Sequence, residues 1–175
     1  LLFLDELKSH KELKAKEQQN LAFRDGFVTI LDPPKDGNCQ FSAVVSLLEK
    51  HLNLKTTAAQ LRNDVVVYLS GSPCFLNSTP MEFSNFIKPL DVLSYLKAMA
   101  LNGTYGDHVT LQALACLYKV QFIVLSSLGV EGTRIISPDV SNNFISTLPA
   151  LILGHYAETQ GTHYVSLQAE SGKVF

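Results

Sequence analysis

Apolar residues recur at three- and four-residue intervals through the first two thirds of the chain, then give way to short apolar runs broken by glycine and proline. The first pattern is the period of an amphipathic helix and the second that of a strand. Leu4, Leu7 and Leu13, with Phe3 beside them, predict an amphipathic helix over residues 1–22, either packed on the domain edge or serving as a linker or partner-binding helix. Phe27 to Ile30 reads as a strand. Asp32-Pro33-Pro34 ends it, because proline cannot donate to a sheet ladder. Phe41, Val44, Val45, Leu48 and Leu52 predict a helix from Cys39 to about Leu52. Thr57-Ala58-Ala59-Gln60 has the form of a capping box, with Ala58, Leu61, Val65 and Tyr68 on one face behind it and Gly71-Ser72-Pro73 as its stop.

Residues 72–88 show no clear period. Asp91 to Leu101 reads as a helix closed by Asn102-Gly103. Asp107 is a natural N-cap for another, burying Leu111, Leu114, Ala115 and Tyr118, with Cys116 as a small core residue. Val120–Leu125, Thr133–Ile136, Ala150–Leu153 and His163–Leu167 read as strands, with Gly129, Gly132, Pro138-Asp139 and Gly161 as turns. Helices first and strands last predict an α+β domain over 23–175 in which helices pack on a sheet.

Composition narrows what such a domain can do. The 175 residues are 46% hydrophobic and 17% charged, which suits one compact domain. A net charge of −2 provides no basic footprint for nucleic acid. No apolar run reaches the roughly 18–20 residues of a membrane span. Cys39, Cys74 and Cys116 are too few and too dispersed for paired zinc ligands, so no metal is expected. Their odd number points away from a disulfide framework and toward a reducing compartment. Leu1-Leu2-Phe3-Leu4 runs straight into Asp5-Glu6, unlike a signal peptide, and the absence of an initiator Met suggests a domain from a longer protein.

Candidate chemistry gathers at Asp36-Gly37-Asn38-Cys39, between a proline-bearing loop and an apolar helix. A thiol at a helix N-terminus meets the positive end of the peptide dipoles, which favours the nucleophilic thiolate. Gly37 can take a positive φ that turns backbone N–H groups inward, where they would stabilise an oxyanion. Asp36 or Asn38 could hold the loop as a cap. A buried cysteine after an ordinary Asp-Gly turn accounts for the same four residues equally well. A thiol nucleophile also needs a base, and two His-Tyr pairs, His155-Tyr156 and His163-Tyr164, lie in the strand-rich third. His10, His51 and His108 fall on helices or their starts.

Asp36-Gly37-Asn38-Cys39-Gln40-Phe41 resembles the nucleophile motif of the ovarian-tumour (OTU) cysteine proteases. Leu61-Arg62 with Val65 and Tyr68-Leu69 is similar to that family's next helix, Tyr105–Ala113 to its Gly-Asp-x-x-x-Leu block, and His163-Tyr164 to its terminal His-Tyr. The resemblance spans roughly residues 25–168 and implies a papain-like fold, a small mostly antiparallel sheet packed between helices, with the nucleophile at a helix N-terminus. It implies isopeptide or peptide hydrolysis after the C-terminal glycine of ubiquitin or a ubiquitin-like modifier. Cys39 would form a thioester, His163 would act as base, and Asp36 would organise an oxyanion loop with Gly37 and Asn38. The loop before Cys39 and the loop before His163, with Gly161 and Thr162, would flank the channel for the modifier's C-terminal tail, and a narrow channel would select Gly-Gly.

No cofactor is implied. The expected partner is ubiquitin, a ubiquitin-like modifier or a polyubiquitin chain, without nucleic acid or membrane; the expected state is a monomer in the cytoplasm or a host cytoplasm. One position departs from the family pattern: Val165 stands where many members carry the Asn or Asp that orients the histidine. Asp32 is the first candidate to replace it, with Glu158 behind. The same departure supports a second reading, an OTU-fold module that binds ubiquitin without efficient turnover. A third is a thiol hydrolase acting on plain peptides or another acyl substrate.

Overall fold

In a computed structural model of the chain, residues 26–71, 74–75, 81–82, 87, 90–138, 147–157 and 162–170 are described. The expected N-terminal helix over 1–22, Gly161 and Glu158 lie outside them. In chain order the elements are β1 (Phe27–Leu31), α1 (Cys39–Leu52), α2 (Ala58–Ser70), β2 (Cys74–Phe75), β3 (Met81–Glu82), α3 (Val92–Ala100), α4 (His108–Tyr118), β4 (Gln121–Ser126), β5 (Gly129–Ile136), β6 (Ala150–Tyr156) and β7 (His163–Ala169). β2 and β3 pair as a small ribbon; the other strands form one sheet in the order β1-β7-β6-β4-β5. All its pairings are antiparallel except β4 with β6.

Strand alternation divides the core into two parts. Phe122, Val124, Leu151, Leu153 and Tyr164 point to one face, where they join Phe41, Val44, Leu47 and Leu48 of α1, Leu61 and Val65 of α2, Tyr95 and Met99 of α3, and Leu111 and Leu114 of α4. Burying residues such as Phe41 and Phe122 completely contributes roughly 1.5–3 kcal/mol each. The opposite face carries a smaller cluster of Leu125, Ile152, Val165 and Leu167.

Local signals explain most element boundaries. Thr57 accepts from the Gln60 amide at 3.1 Å and starts α2. Asp107 and Thr110 form a reciprocal capping box at α4. Two expectations need correction. Gly103 does not cap α3, whose last residue is followed by Leu101 in an extended conformation (φ −75°, ψ 131°). Gly103 instead takes φ +85° and packs against the loop before Cys39. Gly132 lies inside β5 rather than at a turn, and a Cβ there would stand 2.6 Å from Ser126 Oγ, so the hairpin's close approach requires glycine.

Candidate active site

Cys39 is the first residue of α1, fully within the core surface at 1% exposure. Its Sγ lies 3.9 Å from the carbonyl oxygen of Thr162, the residue before His163. The fold therefore brings the N-terminus of α1 to the start of β7, across 123 residues of sequence. Thr162 is held at φ +47°, a left-handed conformation that a β-branched residue adopts only under constraint.

His163 is buried, and its Nε2 lies 2.6 Å from Asp32 Oδ1. A carboxylate only accepts, so Nε2 carries the hydrogen and, in the neutral ring, Nδ1 is the basic atom. That Nδ1 is buried and has no hydrogen-bond partner among the described residues. Asp32 is 70% exposed, so solvent screens the pair and its value to stability is at most about 1 kcal/mol. What it supplies is a fixed ring.

A one-residue irregularity in β1 explains how Asp32 arrives there. Thr29 pairs with Leu167, but Leu31, two residues on, pairs with Ser166, which makes Ile30 a bulge residue. A regular ladder would set Asp32 on the face of Tyr164 and Ser166. The extra residue inverts the alternation and places it on the face of Val165 and His163. Val165 itself is 3% exposed and packs with Leu125, Ile152 and Leu167. Its position serves the small apolar cluster, while the carboxylate beside His163 comes from the end of β1.

The loop before Cys39 is tightly specified. Asp36 is exposed, and its Oδ1 accepts from the Asn38 amide at 2.9 Å, closing a small turn. Gly37 sits at φ +79°, and a Cβ there would fall 1.7 Å from the carbonyl oxygen of Gly103, so this residue is glycine for two reasons. Of the three expected oxyanion-loop residues, Asn38 thus has its amide occupied by Asp36.

Two buried polar residues in the site escape a reading of the sequence for chemistry. Gln40 is 1% exposed, donates from Nε2 to the Asp107 carbonyl at 3.1 Å and accepts from Thr110 Oγ1 at 2.6 Å. It joins the nucleophile motif to the Gly106-Asp107 block, and a Cβ on Gly106 would stand 2.1 Å from Gln40 Oε1. Arg62 is 4% exposed and reaches the loop from α2. The signal for both is their spacing. Gln40, Val44 and Leu47 share one stripe, as do Arg62, Val65 and Leu69, and a polar residue on an apolar stripe needs buried partners.

The other His-Tyr pair lies directly across the sheet. His155 opposes Tyr164, its ring stacked at 4.5 Å, and Tyr156 opposes His163 at 6.2 Å. Burial, with smaller contributions from Asp107 and Cys39, outweighs a hydrogen bond with Gln40 and pushes the Tyr164 phenol up to about 12. A cavity of about 670 Å³ adjoins these residues, lined by Tyr105, Gly106, Arg134, His155, Thr162 and Tyr164 among others. Thr162 lies on its wall, whereas Cys39, His163 and the loop before Cys39 do not. Among the described residues no group of three or more His, Cys, Asp or Glu side chains is arranged to hold a metal.

A thiol at a helix N-terminus, 3.9 Å from the carbonyl of the residue before a buried histidine that pairs with a carboxylate, is the set of groups a cysteine protease uses. The family model for OTU-like cysteine proteases matches residues 34–164, and the chain belongs to that family. It is 37% identical over 94 residues to OVARIAN TUMOR DOMAIN-containing deubiquitinating enzyme 10 of Arabidopsis thaliana, an alignment covering 54% of this chain and 23% of that protein. The chain therefore spans less than a quarter of that relative's length. Its fold matches the OTU domain of OTUD1 with a TM-score of 0.65 at 20% identity, over 91% of this chain and 97% of the other. It also matches an OTU deubiquitinase from Wolbachia pipientis bound to ubiquitin, with a TM-score of 0.56 at 18% identity, over 83% and 97%.

Proposed function

We propose that the chain is a deubiquitinase-type thiol hydrolase that cleaves the bond after the C-terminal glycine of ubiquitin or a ubiquitin-like modifier. The observation that carries this reading is the 2.6 Å pair of His163 with Asp32, with the thiol at the start of α1 lying 3.9 Å from the carbonyl of Thr162, the residue before that histidine. In the first step Nδ1 of His163 takes the Cys39 proton, and Sγ attacks the glycine carbonyl. The amides at the start of α1 stabilise the resulting oxyanion. The C–N bond breaks as His163 returns the proton to the departing amine, leaving a thioester. Water, deprotonated by His163, then releases the modifier's carboxylate and frees Cys39.

Asp32 keeps the imidazole in the tautomer that each step requires, so Val165 is no obstacle to turnover. The cavity bordered by Thr162 suits the modifier's C-terminal tail, and the names of the Arabidopsis relative and the ubiquitin-bound Wolbachia structure support ubiquitin as its owner.

The test is a ubiquitin C-terminal electrophilic probe, compared with the same warhead on another modifier and on a plain peptide. A covalent adduct with the ubiquitin probe that is absent in Cys39→Ala is the expected result. Folded protein that reacts only with the peptide would replace this reading with a general thiol hydrolase. No adduct with any probe would replace it with a binding module.

A further inference from the structure

Asn38 occupies the N-cap position of α1, yet its side chain makes no capping hydrogen bond. Asparagine at this position ordinarily accepts from the second or third amide of the helix. Here Asn38 Oδ1 turns away, accepting from Arg62 Nη2 at 2.7 Å and from the Gly103 amide at 3.3 Å. The first helical hydrogen bond is Ser42 N to Asn38 O, so the amides of Cys39, Gln40 and Phe41 precede it and receive no cap from Asn38. These are the donors nearest the thiol.

Arg62 is built to hold this arrangement. Its Nη1 donates to Met99 O at 2.9 Å and its Nη2 to Thr104 O at 2.7 Å, with Gly37 O a longer third contact at 3.3 Å. Its guanidinium stacks 4.4 Å above the Phe41 ring. The carbonyl of Met99 belongs to the last turn of α3, where a cation is favoured by the helix dipole. All these acceptors are carbonyl oxygens, in three separate segments, and no carboxylate is bonded to it among the described residues. A buried cation without a directly bonded anion is costly, so its presence here points to a geometric task.

We propose that Arg62 is a positioning residue that withdraws the Asn38 side chain from the N-terminus of α1, leaving the first helical amides open to the Cys39 sulfur and to the oxyanion. The same side chain ties the nucleophile loop to the 103–104 turn, which leads into the cavity wall at Tyr105 and Gly106. The role deepens the hydrolase reading and rests on it, but the central measurement does not need ubiquitin.

That measurement is the rate of Cys39 alkylation by iodoacetamide at neutral pH, with Cys74→Ala and Cys116→Ala together as the common background and thermal melting as the check on folding. Arg62→Lys keeps a charge but cannot bridge the separate carbonyls. It is expected to slow alkylation roughly tenfold and ubiquitin-substrate kcat roughly 10- to 100-fold with little change in KM. Adding Asn38→Ala removes the competing carbonyl and is expected to recover part of both losses. A folded Arg62→Lys with unchanged alkylation, or a loss that Asn38→Ala does not recover, overturns the proposal.

Should Arg62→Lys not fold, Asn38→Ser and Asn38→Ala decide the matter. Both lose the Arg62 bond, but only serine can cap the helix. Asn38→Ser is expected to melt higher yet alkylate more slowly than Asn38→Ala; the opposite order of rates overturns the proposal. Alkylation that follows these expectations while no ubiquitin substrate is cleaved would reject the hydrolase reading and leave the positioning role standing.

Discussion

Two copies of the same dipeptide face each other in neighbouring strands, and the histidine of one of them is paired with Asp32. His155-Tyr156 in β6 and His163-Tyr164 in β7 are paired in antiparallel register, so each histidine opposes the other pair's tyrosine. By alternation the two histidines lie on opposite faces of the sheet. His163 begins its strand, directly after Thr162, whose carbonyl oxygen lies 3.9 Å from the Cys39 sulfur, and on the face that the β1 bulge gives to Asp32. His155 sits on the other face, stacked on Tyr164 in the cavity wall. Residue type makes both candidates, whereas strand parity and one extra residue in β1 separate the ring paired with Asp32 from the ring that lines the cavity.

The strongest way to break this comparison is to remove each ring. His163→Ala is expected to lower kcat by roughly 10²–10⁴-fold, the range of a lost general base. His155→Ala is expected to keep kcat within about threefold while raising KM, since a cavity-wall residue contributes to binding before and during the reaction alike. Steady-state cleavage of a fluorogenic ubiquitin substrate separates the two. A collapse of kcat in His155→Ala with activity retained in His163→Ala would reverse the assignment.

A smaller effect is expected at Asp32. Removing a buried triad carboxylate can cost about 10⁴-fold, but Asp32 is largely exposed and water can take its place beside Nε2. Asp32→Ala is therefore expected to lower kcat about 10- to 100-fold, with the melting temperature lowered by no more than about 4 °C. Activity equal to the parent would remove Asp32 from the mechanism and return the question of the orienting group to Val165 and its surroundings. Because Asp32 acts only through His163, Asp32→Ala should cost little further in a His163→Ala background.

Much of the fold is legible in the sequence because it rests on local patterns. The stripe from Phe41 to Leu52, the Thr57 and Asp107 caps and the apolar runs of the last third each specify an element without reference to the rest. Placing the site is different. That Asp32 reaches His163 depends on the bulge at Ile30, which no residue type in Phe27–Leu31 announces. Gly103 reads as a helix cap because Asn-Gly follows an apolar stripe, yet its conformation is set by contact with Gly37 across 66 residues. Arg62 reads in sequence only as one position of a familiar helix. Its role follows from three carbonyl-bearing segments converging on one guanidinium, which is a property of the tertiary structure.

The tyrosines of the two dipeptides sharpen the comparison with a smaller effect, one on stability. Tyr164 lies on the helix-covered face, and burial raises its phenol from the ordinary 10 to about 12. A folded value above the unfolded one means that the neutral phenol is favoured by the native state. Its contribution is fully present below about pH 10, and it declines as pH rises toward 12. A rise of this size corresponds to a contribution on the order of 2–3 kcal/mol. Tyr164→Phe keeps the ring against His155 but removes the ionisation, so its stability should fall less steeply than the parent's between pH 10 and 12. Tyr118, also raised to about 12 beside Asp64, and Tyr95, raised further by burial and Asp107, remain in the variant, and they will preserve part of the alkaline decline. Urea unfolding at a series of alkaline pH values measures the difference. Parallel curves for the parent and Tyr164→Phe would mean that the phenol ionises as freely in the folded protein as in the unfolded chain, and that the Tyr164 end of the cavity is open to water.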